Sequence, residues 1–459
     1  MRWLRQGIGD ITQGVIWKQL LQLFFPLWFG IFFQQLYNTV DTVVVGRFVG
    51  KTALAAVGAT GAVTNLTVGL FTGLASGAVV VVAQHYGGRR VEQVEKSVHT
   101  AMLLAAVGGA LFTVAGVLAP PWALQTMHTP EDALPQAISY LRIYFFGMIP
   151  NAIYNMGTGV LRAVGDVRRP LYFLMAASLC NIVLDLVLVV GCKMGVEGAA
   201  IATVASQVLS AVLVLLSLSK SEGAPYQLLF RELRIHKPLL ADIMKIGLPA
   251  ALQSLMYSAS NIVIQSSINV FGTDTVAAWT AYGKMDIIFW MSLNAMGMAL
   301  TTFAGQNYGA GQYERLKKSV RVASAMSFAF TALLSLAMVL LARPLLAIFT
   351  PDAAVLEIGV KMVRFLVPCY VTYVLVELIP GAVRGAGKSL APMLISVFGV
   401  CVLRLLWLFF VVPRFHTVAM VEASYPITWV ITSLALLVYY RWGNWLQRRE
   451  AQAPSVEME

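Results

Sequence analysis

Ionisable residues within stretches otherwise apolar enough to sit in a bilayer include Asp41, Asp185, Lys284, Asp286, Glu377 and Arg404. A charge at the centre of a spanning helix costs roughly 2.5–3.5 kcal/mol on insertion scales, so such residues face partners or a cavity rather than lipid. Two of the carboxylates have polar company. Gln34, Asn38 and Asp41 follow i, i+4, i+7 spacing and share one helical face, and Ser178, Asn181 and Asp185 do the same. If the stripes meet, two carboxylates with an amide between them share a poorly hydrated pocket, titrate as a unit, and are relieved by a proton or a sodium ion. That is the chemistry of a cation-coupling site. A competing reading puts Asp41 and Asp185 near the outer interface, close to Gly46 and Lys193, with no function.

The elements that would carry these residues are spanning helices. The composition is 58% hydrophobic and 12% charged, with a mean hydropathy of +0.74, too little polar surface to solvate a globule. Windows of about 20 apolar residues, the length that crosses a bilayer core, number twelve. They fall near 18–45, 53–83, 97–122, 135–160, 169–190 and 196–219, then 242–269, 276–305, 317–341, 358–383, 391–412 and 418–440. The two sets are copies. AQHYGGRRVEQVEKSV from Ala83 returns as GQNYGAGQYERLKKSV from Gly305, and LRAVGDVRRP from Leu161 as VRGAGKSLAP from Val383, both shifted by 222 residues. With six spans each, the halves insert with the same orientation and are related by an axis along the membrane normal, a transporter architecture. The expected fold is all-α and polytopic: a six-helix lobe over 1–225, a cytoplasmic linker over 226–240, a second six-helix lobe over 241–446, and a disordered tail over 447–459.

The net charge of +11 is a topology signal rather than a nucleic-acid footprint. Basic residues crowd the loops on the side of the termini, and only Arg47, Lys51, Lys193, Arg343 and Arg414 fall in the opposite ones. Both termini are therefore expected in the cytoplasm, with the protein in the inner membrane. The segment GAVRGAGKS, Gly381–Ser389, imitates a phosphate-binding loop, but Ala382 stands where its first glycine belongs and no strand precedes it, so no ATP is expected. The five histidines are scattered, neither HExxH nor GxSxG occurs, and the four cysteines lack ligand spacing. No enzyme, no cofactor and no structural metal are expected.

The opening QQLYNTVDTVVVGRFVGKTALAAVG, the repeated QxYG blocks and the LRAVGD and VRGAGK turns together resemble the multidrug and toxic compound extrusion (MATE) family. The resemblance spans essentially the whole chain and is stronger to DinF-like and clostridial members than to the NorM type. It implies twelve helices in two lobes and an alternating-access antiport cycle. It also implies export of amphipathic, often cationic, drugs against a proton or sodium gradient; the chain is expected to work as a monomer. The family's cation site falls on Asp41, Asn181, Asp185 and Thr203, and Pro26 matches a first-helix proline at which bending has been proposed.

Candidate pocket residues are Gln34, Tyr37, Asn38, Tyr140, Asn151, Asn155 and Met156, a mix of aromatic, amide and thioether groups suited to adaptable binding. The second lobe departs from the NorM pattern, with Tyr257 in place of an acidic residue. There Glu377 either keeps a second carboxylate site or pairs with Arg404, and Asp286 pairs with Lys284 or stays unassigned. The alternative function is a flippase for a lipid-linked saccharide or peptidoglycan precursor, whose anionic headgroup calls for several arginines in the central cavity, where only Arg404 looks central.

Overall fold

In the computed structural model, residues 11–118, 120–126, 131 and 133–446 are described, and among them helices and turns account for the whole architecture. The first lobe holds α1 (Ile16–Phe48), α2 (Lys51–Gly87), α3 (Val91–Leu118), α4 (Leu134–Phe146 and Met148–Ala163), α5 (Arg168–Gly191) and α6 (Gly195–Ser219). The second holds α7 (Lys237–Asn269), α8 (Thr273–Met285 and Ile287–Gly309), α9 (Tyr313–Leu340), α10 (Ala353–Gly385), α11 (Leu390–Phe415) and α12 (Val418–Trp442).

Eleven of these elements are, as continuous helices, long and apolar enough to cross a membrane. The twelfth, α4, is divided at Gly147 into pieces of 13 and 16 residues. The duplication is carried into the elements, since α2 and α8 share bounds shifted by 222, as do α3 and α9. The helices outrun the apolar windows because polar blocks such as Gln84–Gly87 continue the last turn beyond the hydrocarbon-like stretch. The helix α7 begins at Lys237, inside the segment expected to be linker. The expected tail, 447–459, lies outside the described residues.

Each lobe has its own apolar core, and the first half of α1, through Leu20, Leu23 and Leu27, packs into that of the second lobe. The helix α2 packs on α7 and α8 across the lobe boundary, and α1 on α8. Small residues allow backbones to approach closely where no hydrophobic drive separates helix from lipid. A Cβ on Gly73 would stand 2.4 Å from the Ala251 backbone, one on Gly77 2.3 Å from the Ile243 carbonyl, and one on Gly87 2.0 Å from the Gln306 carbonyl. Toward the other end of the bundle, Gly58, Gly61 and Gly283 have nothing within 4 Å. The lobes are thus pressed together at the end that carries the inter-lobe linker.

The duplicated blocks close that contact reciprocally. Gln84 donates from Nε2 to the Gly385 carbonyl at 2.8 Å, and its copy Gln306 donates to the Ala163 carbonyl at 2.6 Å. Donor and acceptor positions both differ by 222 residues, so the two bonds are one interaction made twice about the axis.

Candidate functional site

The first lobe encloses a cavity of about 540 Å³ against α8. Its walls come from α1, α2, α4, α5, α6 and α8. The helix α1 contributes Pro26, within its turns, and then Gln34, Tyr37, Asn38 and Asp41 from the face that the heptad-like spacing defined. Tyr140, Asn151 and Asn155 come from the two pieces of α4, Ser178 and Asn181 from α5, and Thr203 from α6. Met156 is 3% exposed and packs in the lobe's core instead of on this wall. The preceding residues explain it: Asn151 and Asn155, four apart, share the cavity face, and Met156 is turned about 100° from Asn155.

Asp185 lies behind the wall, with no exposed surface. Gln34, Asn38 and Asp41 of α1 and Ser178 and Asn181 of α5 line the same cavity, so the two polar stripes face one space. What distinguishes the place is its unmet hydrogen-bonding capacity: Asp41 Oδ1, Ser178 Oγ, both side-chain polar atoms of Asn181 and both carboxylate oxygens of Asp185 are buried without a partner. A buried polar group left unsatisfied costs on the order of 1–3 kcal/mol, and more when charged. Five of these six atoms, on four residues, are oxygens, and carboxylate, amide and hydroxyl oxygens are the donor set of a hard monovalent cation or a proton. Thr203 Oγ1 bonds the Ala199 carbonyl at 3.0 Å and keeps lone pairs free. Immediately after Asp185, residues Leu186–Gly191 form a π-helical turn, a device that interrupts the regular backbone ladder of α5 beside the carboxylate.

In the second lobe the expected charge pairs do not form. Arg404 donates from Nη2 to Thr428 Oγ1 at 3.0 Å and lies over the Tyr425 ring, 4.0 Å from its centroid, so the face of an aromatic ring and a hydroxyl take the place of Glu377. Glu377 points instead to the α8 backbone at Gly297, where a Cβ would stand 2.7 Å from its Oε1. Lys284 is exposed while Asp286 is buried. Two residues apart on a helix are on opposing faces, which is why that pair fails. Asp286 accepts from Trp290 Nε1 at 2.8 Å and from the Tyr370 hydroxyl at 3.3 Å. Around it Phe289 stacks on Tyr370 at 4.1 Å and Trp290 meets Tyr373 at 4.9 Å, filling with rings the space that is open in the first lobe.

Several wall residues had no place in the sequence-based set. Ser206, Gln207 and Ser210 extend the Thr203 face of α6 at helical spacing, a signal available from sequence. Thr64 and Asn65 enter from α2, Trp290 and Asn294 from α8, and Arg162 from the end of α4. Nothing local marks Trp290 or Arg162, since their positions on the wall depend on how the lobes dock.

The MatE family pattern matches residues 26–187 and 249–410, once in each lobe. The probable multidrug resistance protein YoeA of Bacillus subtilis is 26% identical over 435 residues, 93% of this chain and 94% of that one. A FAD transporter of Shewanella oneidensis is 27% identical over 350 residues, 74% of this chain and 76% of its own. Among solved structures, the outward-facing conformation of a multidrug resistance MATE family transporter of the MOP superfamily superposes with a TM-score of 0.87 at 23% identity, covering 95% of this chain and 98% of that one. A twice-matched family pattern and a two-lobe helical fold around a polar cavity lead to one conclusion: the chain belongs to the MatE family of membrane transporters.

Proposed function

We propose that the protein is a cation-coupled antiporter of the inner membrane, its termini cytoplasmic, that exports amphipathic organic compounds by alternating access. The observation that carries the reading is the group of unpartnered polar atoms on Asp41, Ser178, Asn181 and Asp185 beside the cavity. A proton or sodium ion bound among them neutralises charge that the fold leaves buried, and Thr203 offers a further oxygen from α6. Such binding shifts the conformational equilibrium only by its difference in affinity between states. The helix α1, which carries Asp41 and Pro26 on the same cavity wall, is the element through which that difference reaches the substrate: with Pro26 as hinge, cation binding reshapes the wall and releases the bound compound. Inward movement of one positive charge gains about 2.3 kcal/mol per 100 mV of membrane potential.

The cavity's aromatic and amide lining suits flat, amphipathic molecules. The multidrug relatives fit that class. The FAD transporter among them carries an anionic, aromatic cargo, which widens the class beyond cations.

The test is uptake of a fluorescent organic cation into inverted membrane vesicles under an imposed proton or sodium gradient. Gradient-dependent uptake by the wild type that is lost in Asp41→Asn, with the variant protein still in the membrane, is the expected outcome. Equal uptake with and without either gradient contradicts it.

A further inference from the structure

Arg162 and Arg384 occupy equivalent places in the two lobes, 222 residues apart, at the ends of α4 and α10. Their surroundings differ at one informative position. Seven residues before Arg384, on the same face of α10, stands Glu377, whose carboxylate lies within electrostatic range of the guanidinium. The equivalent position before Arg162 is Asn155, which spends its amide on the Asn151 carbonyl and side-chain oxygen at 2.9 and 2.6 Å. The second lobe thus places an acid seven residues before its arginine, where the first places an amide.

Arg162 is also poorly satisfied by its neighbours. Its Nε has no partner, and its Nη1 reaches only the thioether of Met298, at 3.8 Å, a weak acceptor. The nearest acid in sequence, Asp166, is committed to Arg169, whose Nε lies 2.8 Å away. Among the described residues no ion pair includes Arg162. A guanidinium stays charged at any physiological pH, so the charge cannot be shed and must meet water or a ligand. Its place is the cavity wall, beside Asn155 and Thr158. Asp41 and Asn181 are at the other end: about 20 Å of helical rise separates Asn181 from Val167, which lines the cavity next to the turn after Arg162.

We propose that Arg162 is a specificity-determining residue that receives an anionic group, a carboxylate or a phosphate, on the amphipathic compounds this cavity takes. The inference rests on the export reading above and narrows its substrate class. A planar guanidinium with open donors matches both groups in bidentate fashion, and the amide of Asn155, by not being a carboxylate, leaves the fork free. Aromatic bodies of such ligands extend from Arg162 toward Tyr37 and Tyr140, away from the linker end.

The test is equilibrium binding to the purified full-length protein in lipid nanodiscs, read by fluorescence polarisation of the probe itself. Two matched pairs separate the anion sources: rhodamine B against its ethyl ester for the carboxylate, and flavin mononucleotide against riboflavin for the phosphate. The wild type is expected to prefer the anionic member of at least one pair by about tenfold or more, the range of a charge-assisted hydrogen bond. Arg162→Gln abolishes that preference, and Asn155→Glu does so with the arginine still present, by installing the carboxylate of the other lobe. Arg162→Lys keeps part of it.

Equal wild-type affinity within both pairs overturns the inference, as does a preference that survives in Arg162→Gln. If the uncharged or cationic members are still driven by an ion gradient in proteoliposomes, the export reading stands without the anion site. If no probe is driven, the export reading itself fails, and the inference with it.

Discussion

Asp185 sits with neither carboxylate oxygen bonded to protein, and its neighbours Asn181 and Ser178 are equally idle. A residue set this unsatisfied is stabilised by whatever completes it. Thermal unfolding of the purified protein is therefore expected to shift upward with sodium, or with proton concentration if the proton is the coupling ion. The gain at a hundredfold excess over Kd is about 2.7 kcal/mol. In Asp185→Asn the midpoint should be nearly independent of that ion, and an undiminished dependence would place the binding elsewhere. The two stripes that face one cavity here were legible in the sequence, because polar residues at i, i+4 and i+7 within apolar helices have only a cavity or each other to face. Arg162 was not, because the asymmetry of basic loops treats every arginine near a helix end alike and says nothing of which one turns into the lumen. The Glu377 and Arg404 pairing failed for a related reason: composition alone cannot reveal that Tyr425 offers the guanidinium a ring face 4.0 Å away.

The helices carry two kinds of instruction. Their number, order and repetition follow from apolar windows and from the duplicated blocks, and α2 and α8 agree in bounds although α8 is broken at Asp286 and α2 is not. The interruptions were not legible: the break of α4 at Gly147, the tightened turns at Val367–Tyr373 in α10 and the π-helical turns in α5 and α11 depend on tertiary packing. The elements also hold the closed end together. Gln84 and Gln306, at the ends of α2 and α8, each bond a carbonyl of the opposite lobe, and each such bond contributes ~1 kcal/mol net. In the double variant Gln84→Ala, Gln306→Ala, the equilibrium should move toward opening at the linker end. A single cysteine introduced at Ala83, which is fully buried against Gly305 of the opposite lobe, would then react with an aqueous maleimide roughly 5- to 160-fold faster if the two contributions of 0.5–1.5 kcal/mol add. Unchanged labelling would mean the glycine contacts alone set the closed end.

At the scale of the whole molecule, a duplicated chain has become structurally asymmetric. One lobe is hollow and lined with hydroxyls, amides and a carboxylate, while the other is filled by the rings around Asp286 and Trp429. Docking the two makes one cavity with walls from both, since α8 of the second lobe closes the hollow of the first. If coupling runs through Asp41 and Asp185, it must also run backward, since linkage between two ligands of one equilibrium is reciprocal. The direct measurement is cation movement driven by substrate in proteoliposomes holding purified protein, with an ion-sensitive dye inside and no imposed ion gradient. A substrate gradient should drive the coupling ion in the opposite direction in the wild type and fail to do so in Asp41→Asn and Asp185→Asn, both of which remain folded by size-exclusion profile. Substrate-driven ion movement of wild-type size in both variants would contradict the assignment of coupling to this carboxylate pair.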